Sequence, residues 1–531
     1  MKPQQLSIRT AAVGQAVRSH VHCARINLPT LAAIAVAVAS SVVLTLGGCA
    51  SSAGIAPSAR TIAPAAVGLD ATSTSTATPA LAADWWHAFG DAGLNDLVAR
   101  ALADNPSLKV AQTRLARAQA VVAGAQSADG PQLNGSLDVT RQRFSATSIY
   151  PPPLGGGIYT LGTAQVGASW EFDFFGRNRA AIEAAVGAQR AAQADLQAAR
   201  IVLASNVART YVQLGRLFAQ REVADRSLKQ RDEILGLIRQ RVQGGLDTSV
   251  ELRQGQGALP ETRQQIELLD EQIALTRHTL AALTAQAPNA LDTLVVLLTS
   301  VQAVPLPAAV PADLLGRRAD ISAARWRIEA ATSDMKSAKA QFYPNINLTA
   351  FVGLSSIGLD RLIQSGSEQY GAGPAIRLPI FDSGRLRANL RGKTADLDAA
   401  IESYNGAVLE AVHEVADQIS SVRAVERQQT QQAQAQTTAE SAYDLARQRY
   451  KAGLSTYLTV LNAEASVLNQ RRMAVDLKAR ALDTQIGLAR ALGGGYTADS
   501  RGSGGDTADA SDRGGDAATL ELAARVAQVG R

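Results

Sequence analysis

The stretch LKVAQTRLARAQAVVAGAQSADGPQLN at residues 108–134 returns as ISAARWRIEAATSDMKSAKAQFYPNIN at residues 321–347, with Pro131 falling on Pro344. Further along, Phe175-Gly176-Arg177 falls on Ser383-Gly384-Arg385, and Gly245-Leu246 falls on Gly453-Leu454. The spacing holds at about 210 residues, which marks a tandem duplication. Two copies of one long unit predict a pseudo-twofold protomer rather than a string of unrelated domains.

Each copy reads helix, strand, strand, long helix, helix. After Pro131, Leu133, Leu137 and Val139 alternate with Asn134, Ser136, Asp138 and Thr140. Val166, Ala168, Trp170, Phe172 and Phe174 then alternate with Gln165, Gly167, Ser169, Glu171 and Asp173. The second copy repeats this in Ile346, Leu348, Ala350 and Val352, and in Tyr370, Ala372, Ile376, Leu378 and Ile380. Strands are therefore expected at about 131–143, 161–174, 344–354 and 370–381, each with one apolar and one wet face and about the length of a membrane barrel strand. Four strands cannot close a barrel, because about eight is the minimum. A lipid-facing open edge is forbidden. Either the strands form a small soluble sheet, or several chains contribute to one barrel.

The long helices favour the second arrangement. From Arg177 to about Val242 there is no proline, and Leu203, Val207, Leu214, Leu217, Ala224, Leu228, Leu235, Ile238 and Val242 follow alternating steps of three and four residues. Such a helix is about 100 Å long at 1.5 Å per residue, far beyond a globular domain. The second copy does the same from Gly384 to about Ala452, with Val408, Val412, Val415, Ile419 and Val422 on one stripe. Each long helix turns at Gly244-Gly245 or at Gly453 and comes back, so these hairpins must pack beside others.

Composition agrees with closely packed helices. Aromatics are 4% of the 531 residues and Met numbers three, while alanine supplies about a fifth of the chain, well above ordinary usage. The net charge of +5 is misleading, because Lys2, Arg9, Arg18 and Arg25 lie in a leader without acidic residues. The remainder is almost neutral, which argues against nucleic acid as a partner. Cys23 and Cys49 are the two cysteines, so the body of the chain has no disulfide or thiolate-metal framework.

Residues 1–48 read as a signal peptide: basic residues up to Arg25, an apolar run to Leu46, then Gly47-Gly48-Cys49. The ending resembles the lipobox of bacterial lipoproteins, in which the cysteine becomes the lipidated first residue. A plain membrane-spanning helix is the competing reading, since the run approaches the length of a span. The length of the leader leaves a start downstream of Met1 open. No Asp follows Cys49, which resembles lipoproteins sent on to the outer membrane. Residues 49–83, rich in Ala, Ser, Thr and Pro, read as a lipidated tether. The first repeat takes 84–317 with its helical hairpin at about 177–285, the second takes 318–492 with its hairpin at about 384–492, and 493–531 read as a disordered tail.

Enzyme signals are weak. His413-Glu414 lacks the second histidine of a zinc-protease motif and reads as a helix-surface pair. Gly392-Lys393-Thr394 mimics the end of a phosphate loop, but Arg387 takes the place of its first glycine and the segment is helical. Glu171 and Asp173 form a carboxylate pair that a solvated barrel interior explains. No catalytic residue, metal or cofactor is expected.

Several motifs together carry a family resemblance over about residues 84–492: Trp85-Trp86 with Phe89-Gly90-Asp91 and Leu94; Trp170-Glu171-Phe172-Asp173-Phe174-Phe175-Gly176-Arg177; Leu314-Leu315-Gly316-Arg317-Arg318-Ala319-Asp320-Ile321; Phe342-Tyr343-Pro344; and Pro379-Ile380-Phe381-Asp382-Ser383-Gly384-Arg385. The chain resembles the TolC-like outer-membrane efflux proteins, specifically the NodT-type lipoprotein branch that serves resistance-nodulation-division multidrug pumps. It departs from the family pattern at Gly316 and Ala319, where Arg and Pro are usual. The resemblance implies a mainly α protein with a membrane β-barrel: a homotrimer whose twelve strands continue into a twelve-helix periplasmic tunnel in the outer-membrane lipid. Residues 144–160 and 355–369 would face outside the cell. The tips Gly244-Gly245-Leu246-Asp247 and Ala452-Gly453-Leu454-Ser455 would meet a periplasmic adaptor carried by an inner-membrane pump. The implied function is a passive exit duct for drugs or other small molecules. A duct for protein secretion of the type I kind and a non-channel coiled-coil scaffold stay open as alternatives.

The resemblance also raises a gate. A well-known member bears acidic residues on the second returning helix where this chain has Thr459 and Asn462, while the first returning helix offers Asp247, Glu251 and Gln254. Closure is therefore expected to rely on helix packing and on tip contacts that include Arg449 and Tyr450, more than on a second carboxylate ring.

Overall fold

A left-handed glycine lets the second strand of each repeat turn into a long helix. Gly176 (φ 74°) and Gly384 (φ 85°) cap the two longest helices in a conformation that a side chain would strain. An aspartate serves each start: Asp173 accepts the Arg179 N–H at 2.8 Å, and Asp382 accepts those of Gly384 and Leu386 at 3.0 and 2.8 Å. These roles explain the Asp and Gly common to both copies of the motif.

The computed structural model describes residues 51–68, 81–147, 149–302, 316–382 and 384–497. In chain order the principal elements are α1 (Ala92–Asp104), α2 (Pro106–Asp129), β1 (Gln132–Arg143), β2 (Ile158–Phe172), α3 (Arg177–Gln243), α4 (Ser249–Leu283), α5 (Ala319–Ala340), β3 (Asn345–Ile357), β4 (Glu368–Arg377), α6 (Arg385–Lys451) and α7 (Tyr457–Ala491). The duplication is kept to the residue in the hairpins: α3 and α6 have 67 residues each, and α4 and α7 have 35 each. The leader, with Cys49, and the tail beyond residue 497 lie outside the described residues.

The strands form one antiparallel sheet in the order β1-β2-β3-β4. Its register puts the expected apolar set on a single face, with Ala168 opposite Leu133 and Ala350, Trp170 opposite Leu348, and Ile346 opposite Ile376. That face is bare in the protomer: Leu133, Leu137, Tyr370 and Ile376 are all about 70% exposed or more. The other face is mainly polar, with Leu161 opposite Ile357 near its outer end and the Phe351 ring lying over Gly371, where a Cβ would come within 2.8 Å of it. β2 stops at Phe172 because Asp173 is taken by the helix cap, and β4 stops at Arg377 ahead of Pro379, which has no ladder N–H to give. Phe174, Leu378 and Ile380 therefore fall outside the strands expected to hold them. Glu171 does not stand alone on the wet face either, since Arg177 donates to it at 2.6 Å.

Small residues set the helix spacing. The first half of α3 buries Ala180, Ala184, Ala185, Ala191 and Ala194, and a Cβ on Gly187 would touch Ala330 of α5 at 3.0 Å. Midway, the main core gathers Leu203, Val207, Tyr211, Leu214 and Leu217 of α3 around Trp85, Trp86, Phe89 and Leu94, with Leu482 and Ile486 of α7. Asp91 organises it, capping α1 through the Leu94 N–H at 3.0 Å while accepting the hydroxyls of Tyr211 at 2.8 Å and Ser300 at 2.5 Å. Burial opposes its charge, but the bonds from Ser300, Leu94 and Tyr211 hold the carboxyl below its ordinary value.

Arg318 closes the second repeat. It is buried and donates to Asp320 (2.7 Å), Glu414 (2.9 Å) and the Ala491 carbonyl (2.9 Å), tying α5 to α6 and α7. Glu414 is thus a structural acceptor rather than half of a surface His–Glu pair. Lys393 sits inside α6 and pairs with Asp334 at 2.9 Å.

The residues read as a free tether are partly docked. Asp398 of α6 accepts the Ser58 and Ala59 N–H groups at 2.9 and 3.0 Å, Asn405 brackets the Ile62 N–H and the Arg60 carbonyl, and Arg387 donates to the Ser51 and Ala53 carbonyls. Ile62 and Val67 pack near Ile321 and Val408. The tail also begins in order: Gly494 N–H bonds the Ala489 carbonyl at 2.9 Å, and a Cβ on Gly493 would strike the Arg317 carbonyl. No described helix is long and apolar enough to cross a membrane.

The two sheet faces predict opposite tolerances. Arginine at Leu348 should cost about 2–4 kcal/mol of membrane stability if it lies near the bilayer midplane, while arginine at the adjacent Asn347 should cost far less. The yield of membrane-inserted, heat-modifiable protein from the two variants checks this.

Candidate functional site

The two hairpin tips are built by the same backbone device. At the first, Gly245 (φ 70°) lets the Leu246 N–H reach the Arg241 carbonyl at 2.8 Å; at the second, Gly453 (φ 77°) lets the Leu454 N–H reach the Arg449 carbonyl at 2.8 Å. Leu246 and Leu454 stand out at 68% and 70% exposure. Gly244 and Ala452 are exposed beside them. Each tip thus presents one leucine on a short glycine turn.

Their side chains then diverge. Arg241 makes a fork to Asp247, Nε to Oδ2 at 2.9 Å and Nη2 to Oδ1 at 3.1 Å, and both side chains are nearly buried. The same guanidinium lies 4.6 Å over the Tyr450 ring and donates to the Tyr450 carbonyl at 3.2 Å, while the Tyr450 hydroxyl donates to Asp247. Tyr450 is fully buried among Ile234, Ile238, Tyr457 and Val460. The clamp joins the first tip to the end of α6. Ser455 holds the position equivalent to Asp247, and its buried hydroxyl has no partner.

Desolvation alone would raise the Asp247 carboxyl, but bonds from Arg241 and Tyr450 hold it below its ordinary value. Burial and the bond to Asp247 push the Tyr450 phenol well above its usual range. A depressed carboxylate stabilises above its unfolded value and loses that contribution as pH falls through the folded one. A raised phenol stabilises below its unfolded value and loses that contribution as pH rises through the folded one. The clamp is therefore intact from the ordinary Asp value of 3.8 to the ordinary Tyr value of 10.0.

The other residues singled out from sequence lie on different surfaces. Glu251 accepts the Thr248 N–H at 2.9 Å and its hydroxyl, completing a capping box at the start of α4. Those bonds hold its carboxyl low. Asp247 and Glu251 are thus engaged within the chain rather than both free for an adaptor or a cation. Arg449, Thr459 and Asn462 are exposed. Thr459, at the Glu251-equivalent position, gives no box, and Thr456 has no side-chain cap bond.

A buried ion pair deeper in the hairpins escaped the sequence reading. Arg231 of α3 meets Glu464 of α7 at 2.9 Å and also donates to Thr262 at 2.8 Å and the Ala258 carbonyl at 3.1 Å. Arg231 falls where the apolar stripe of α3 steps from Leu228 to Leu235, and Glu464 falls between Val460 and Val467 of α7, so a charge interrupting each apolar stripe is the signal in the sequence, although it does not name the partner. No group of residues that could hold a metal occurs among the described residues.

Removing the clamp acceptor should loosen this end alone. Asp247→Asn or Tyr450→Phe should raise amide exchange at residues 241–251 by about tenfold, with the sheet unchanged. In the native protein the same amides should keep constant protection from about pH 5 to pH 9 once the intrinsic rate is corrected for.

Residues 97–286 and 310–494 match the family described as outer membrane efflux protein. The multidrug resistance outer membrane protein MdtQ of Escherichia coli O6:H1 is 36% identical over 420 residues, covering 78% of this chain and 88% of that protein. The pyoverdine export outer membrane protein OpmQ of Pseudomonas aeruginosa is 33% identical over 424 residues, covering 79% and 88%. Among solved structures, the outer membrane protein VceC of Vibrio cholerae superposes with a TM-score of 0.73 at 36% identity, covering 78% of this chain and 98% of that one. With both repeats matched and these relatives spanned over most of their length, the chain belongs to the outer membrane efflux protein family.

Proposed function

We propose that this protein is the exit duct through which drugs or other small molecules leave the cell envelope, delivered by an inner-membrane resistance-nodulation-division pump through a periplasmic adaptor. Members of the family are trimeric outer-membrane channels that work with adaptors and inner-membrane pumps, and this chain is one of them. Its twelve-stranded barrel, four strands from each of three copies, continues into a periplasmic helical tunnel. The observation that carries the duct reading is a sheet with two open edges running without a break into helices of 67 residues. Transport is passive in this chain, which supplies a wall rather than a reaction, and we assign it no enzymatic step.

The substrate class rests on the relatives' names, one a multidrug resistance protein and one a pyoverdine export protein. Leu246 and Leu454 are the adaptor contacts we favour, being exposed and equivalent in the two repeats. Asp247 acts there through the clamp. The gate combines that clamp with neutral rings at Thr459 and Asn462.

Lipidation at Cys49 is supported by the docked segment after it. Arg387, in the first turn of α6 next to the sheet, holds the Ser51 carbonyl. Two residues reach at most about 7 Å, so a lipid on Cys49 stays close to the membrane end of the tunnel.

Reconstituted trimers should conduct ions once opened; trimers that never conduct would favour the scaffold. A deletion strain that retains small-molecule efflux but loses a secreted protein would favour the secretion duct instead. Cys49→Ser should abolish fatty-acid labelling while leaving part of the barrel inserted. Asn462→Asp should introduce block by divalent cations in single-channel recordings, because three carboxylates would then converge where neutral amides stood.

A further inference from the structure

The apolar face of the sheet ends in a pair of arginines. At the helix end Trp170 and Phe172 mark its margin, with the Trp170 indole N–H on the Asp129 carbonyl at 3.1 Å. From there β1 gives the face Leu133, Gly135, Leu137 and Val139, and then Arg141 and Arg143. Leu133 and Arg143 are ten positions apart. At about 3.4 Å per residue and a tilt of about 40°, that span rises about 26 Å, close to the height of a barrel's apolar band. The arginines therefore stand at headgroup level at the end of the barrel away from the tunnel, which is the outer leaflet. Both are exposed, and neither makes a hydrogen bond or ion pair among the described residues. The second copy has Leu354 and Ser356 at the equivalent positions, so each chain carries one such pair.

Beside the pair lies a cleft of about 640 Å³ between the two outer loops. Arg141 is in register with Thr160 and Arg143 with Ile158, so each arginine starts beside a residue of its own face that lines the cleft. Leu154 of the first loop and Leu359, Asp360 and Arg361 of the second also line it. The second loop can lie on this face because Gly162 leaves room: a Cβ there would come within 2.8 Å of the Leu359 side chain. The walls are fixed. The Gly358 N–H reaches the Thr160 carbonyl at 2.7 Å, the Phe144 N–H reaches the Gly157 carbonyl at 3.0 Å, and the Tyr159 hydroxyl donates to the Pro153 carbonyl at 2.8 Å. Three guanidiniums thus border a cleft that holds one carboxylate, Asp360, which lies 4.0 Å from Arg361. Glu368, also on this face at that level, is engaged by its own loop, accepting the Gly366 N–H at 2.8 Å.

We propose that the cleft binds an outer-leaflet lipid carrying two phosphate groups, with Arg141, Arg143 and Arg361 on the phosphates and Leu154, Ile158 and Leu359 against the start of its acyl chains. A guanidinium grips a phosphate through parallel N–H bonds, and its long stem carries the charge from an apolar face to the headgroup level. Three arginines against one carboxylate leave positive charge in excess, which suits two phosphates better than the single charge of an ordinary phospholipid headgroup. The inference rests on the barrel orientation proposed above and adds a ligand to its outer wall.

Native mass spectrometry of delipidated, full-length trimers tests it. With a synthetic bis-phosphorylated glycolipid as probe, each trimer should bind up to three molecules, one for each copy. The same glycolipid without its phosphates, and phosphatidylglycerol with its one phosphodiester, should bind at least about tenfold more weakly. Arg141→Gln with Arg143→Gln should weaken binding of the probe at least about tenfold, and Asp360→Asn should strengthen it. Undiminished binding by the double variant, or unchanged or weaker binding by Asp360→Asn, would place the phosphates outside the cleft and overturn the site. Equal binding of phosphatidylglycerol or of the dephosphorylated glycolipid by the native trimer, a comparison that needs no variant, would overturn the two-phosphate ligand. Ile149, in the first loop, is 92% exposed, so Ile149→Cys should be labelled on intact cells by a membrane-impermeant maleimide. Labelling without lipid binding rejects the site alone, whereas no labelling rejects the orientation on which it rests.

Discussion

An unpaired strand edge cannot stand in lipid, and from that single prohibition the assembly follows. The protomer offers four strands with the outer edges of β1 and β4 unpaired and an apolar face left bare. Neither defect can be repaired inside one chain. Closing the ring with further copies pairs the edges, turns the bare face to the bilayer and places the polar face, with Asn134, Asp138, Gln165 and Asn347, around an aqueous lumen. The helices inherit the ring from the strands through Gly176 and Gly384, so the tunnel is the barrel continued in another secondary structure.

The two repeats diverge in side chains where their backbones agree. The backbone of the two tips is the same, down to the glycine and the 2.8 Å bond behind it, yet only the first carries an aspartate that an arginine can grip. A duplicated unit needs identical geometry to close, and it needs different side chains if some contacts are to hold while others give way. Asp247 against Ser455, and Glu251 against Thr459, are that difference at its sharpest.

Much of this was legible in the sequence because it follows from period and repetition. Alternation in residues such as Leu133, Leu137, Trp170 and Leu348 identified the bilayer face, and the matched glycines identified the turns. The strand ends were less legible. Asp173 and Leu378 continue the alternation, and only the helix cap on one and the proline after the other stop the ladder. The partners of the charged residues were least legible. Arg231 and Glu464 are 233 positions apart in sequence, and Asp247 reads as a free carboxylate until Arg241 and Tyr450 close over it. The segment after Cys49 looked structureless because, apart from a short 3-10 turn at Pro64–Val67, the bonds that order it run to α6.

The equal lengths of the hairpins have a consequence for how such a chain can change. Because α3 matches α6 and α4 matches α7 in residue count, all six tips of the trimer end at one level. Inserting one helical turn in both arms of a single hairpin would push three of the six tips forward by about 5.4 Å and leave the others behind. A partner that seats on all six would then touch only three. The length of the tunnel is therefore a property that neither repeat can alter alone: it can lengthen or shorten only by paired changes at equivalent positions of both copies, however freely the loops outside the barrel vary.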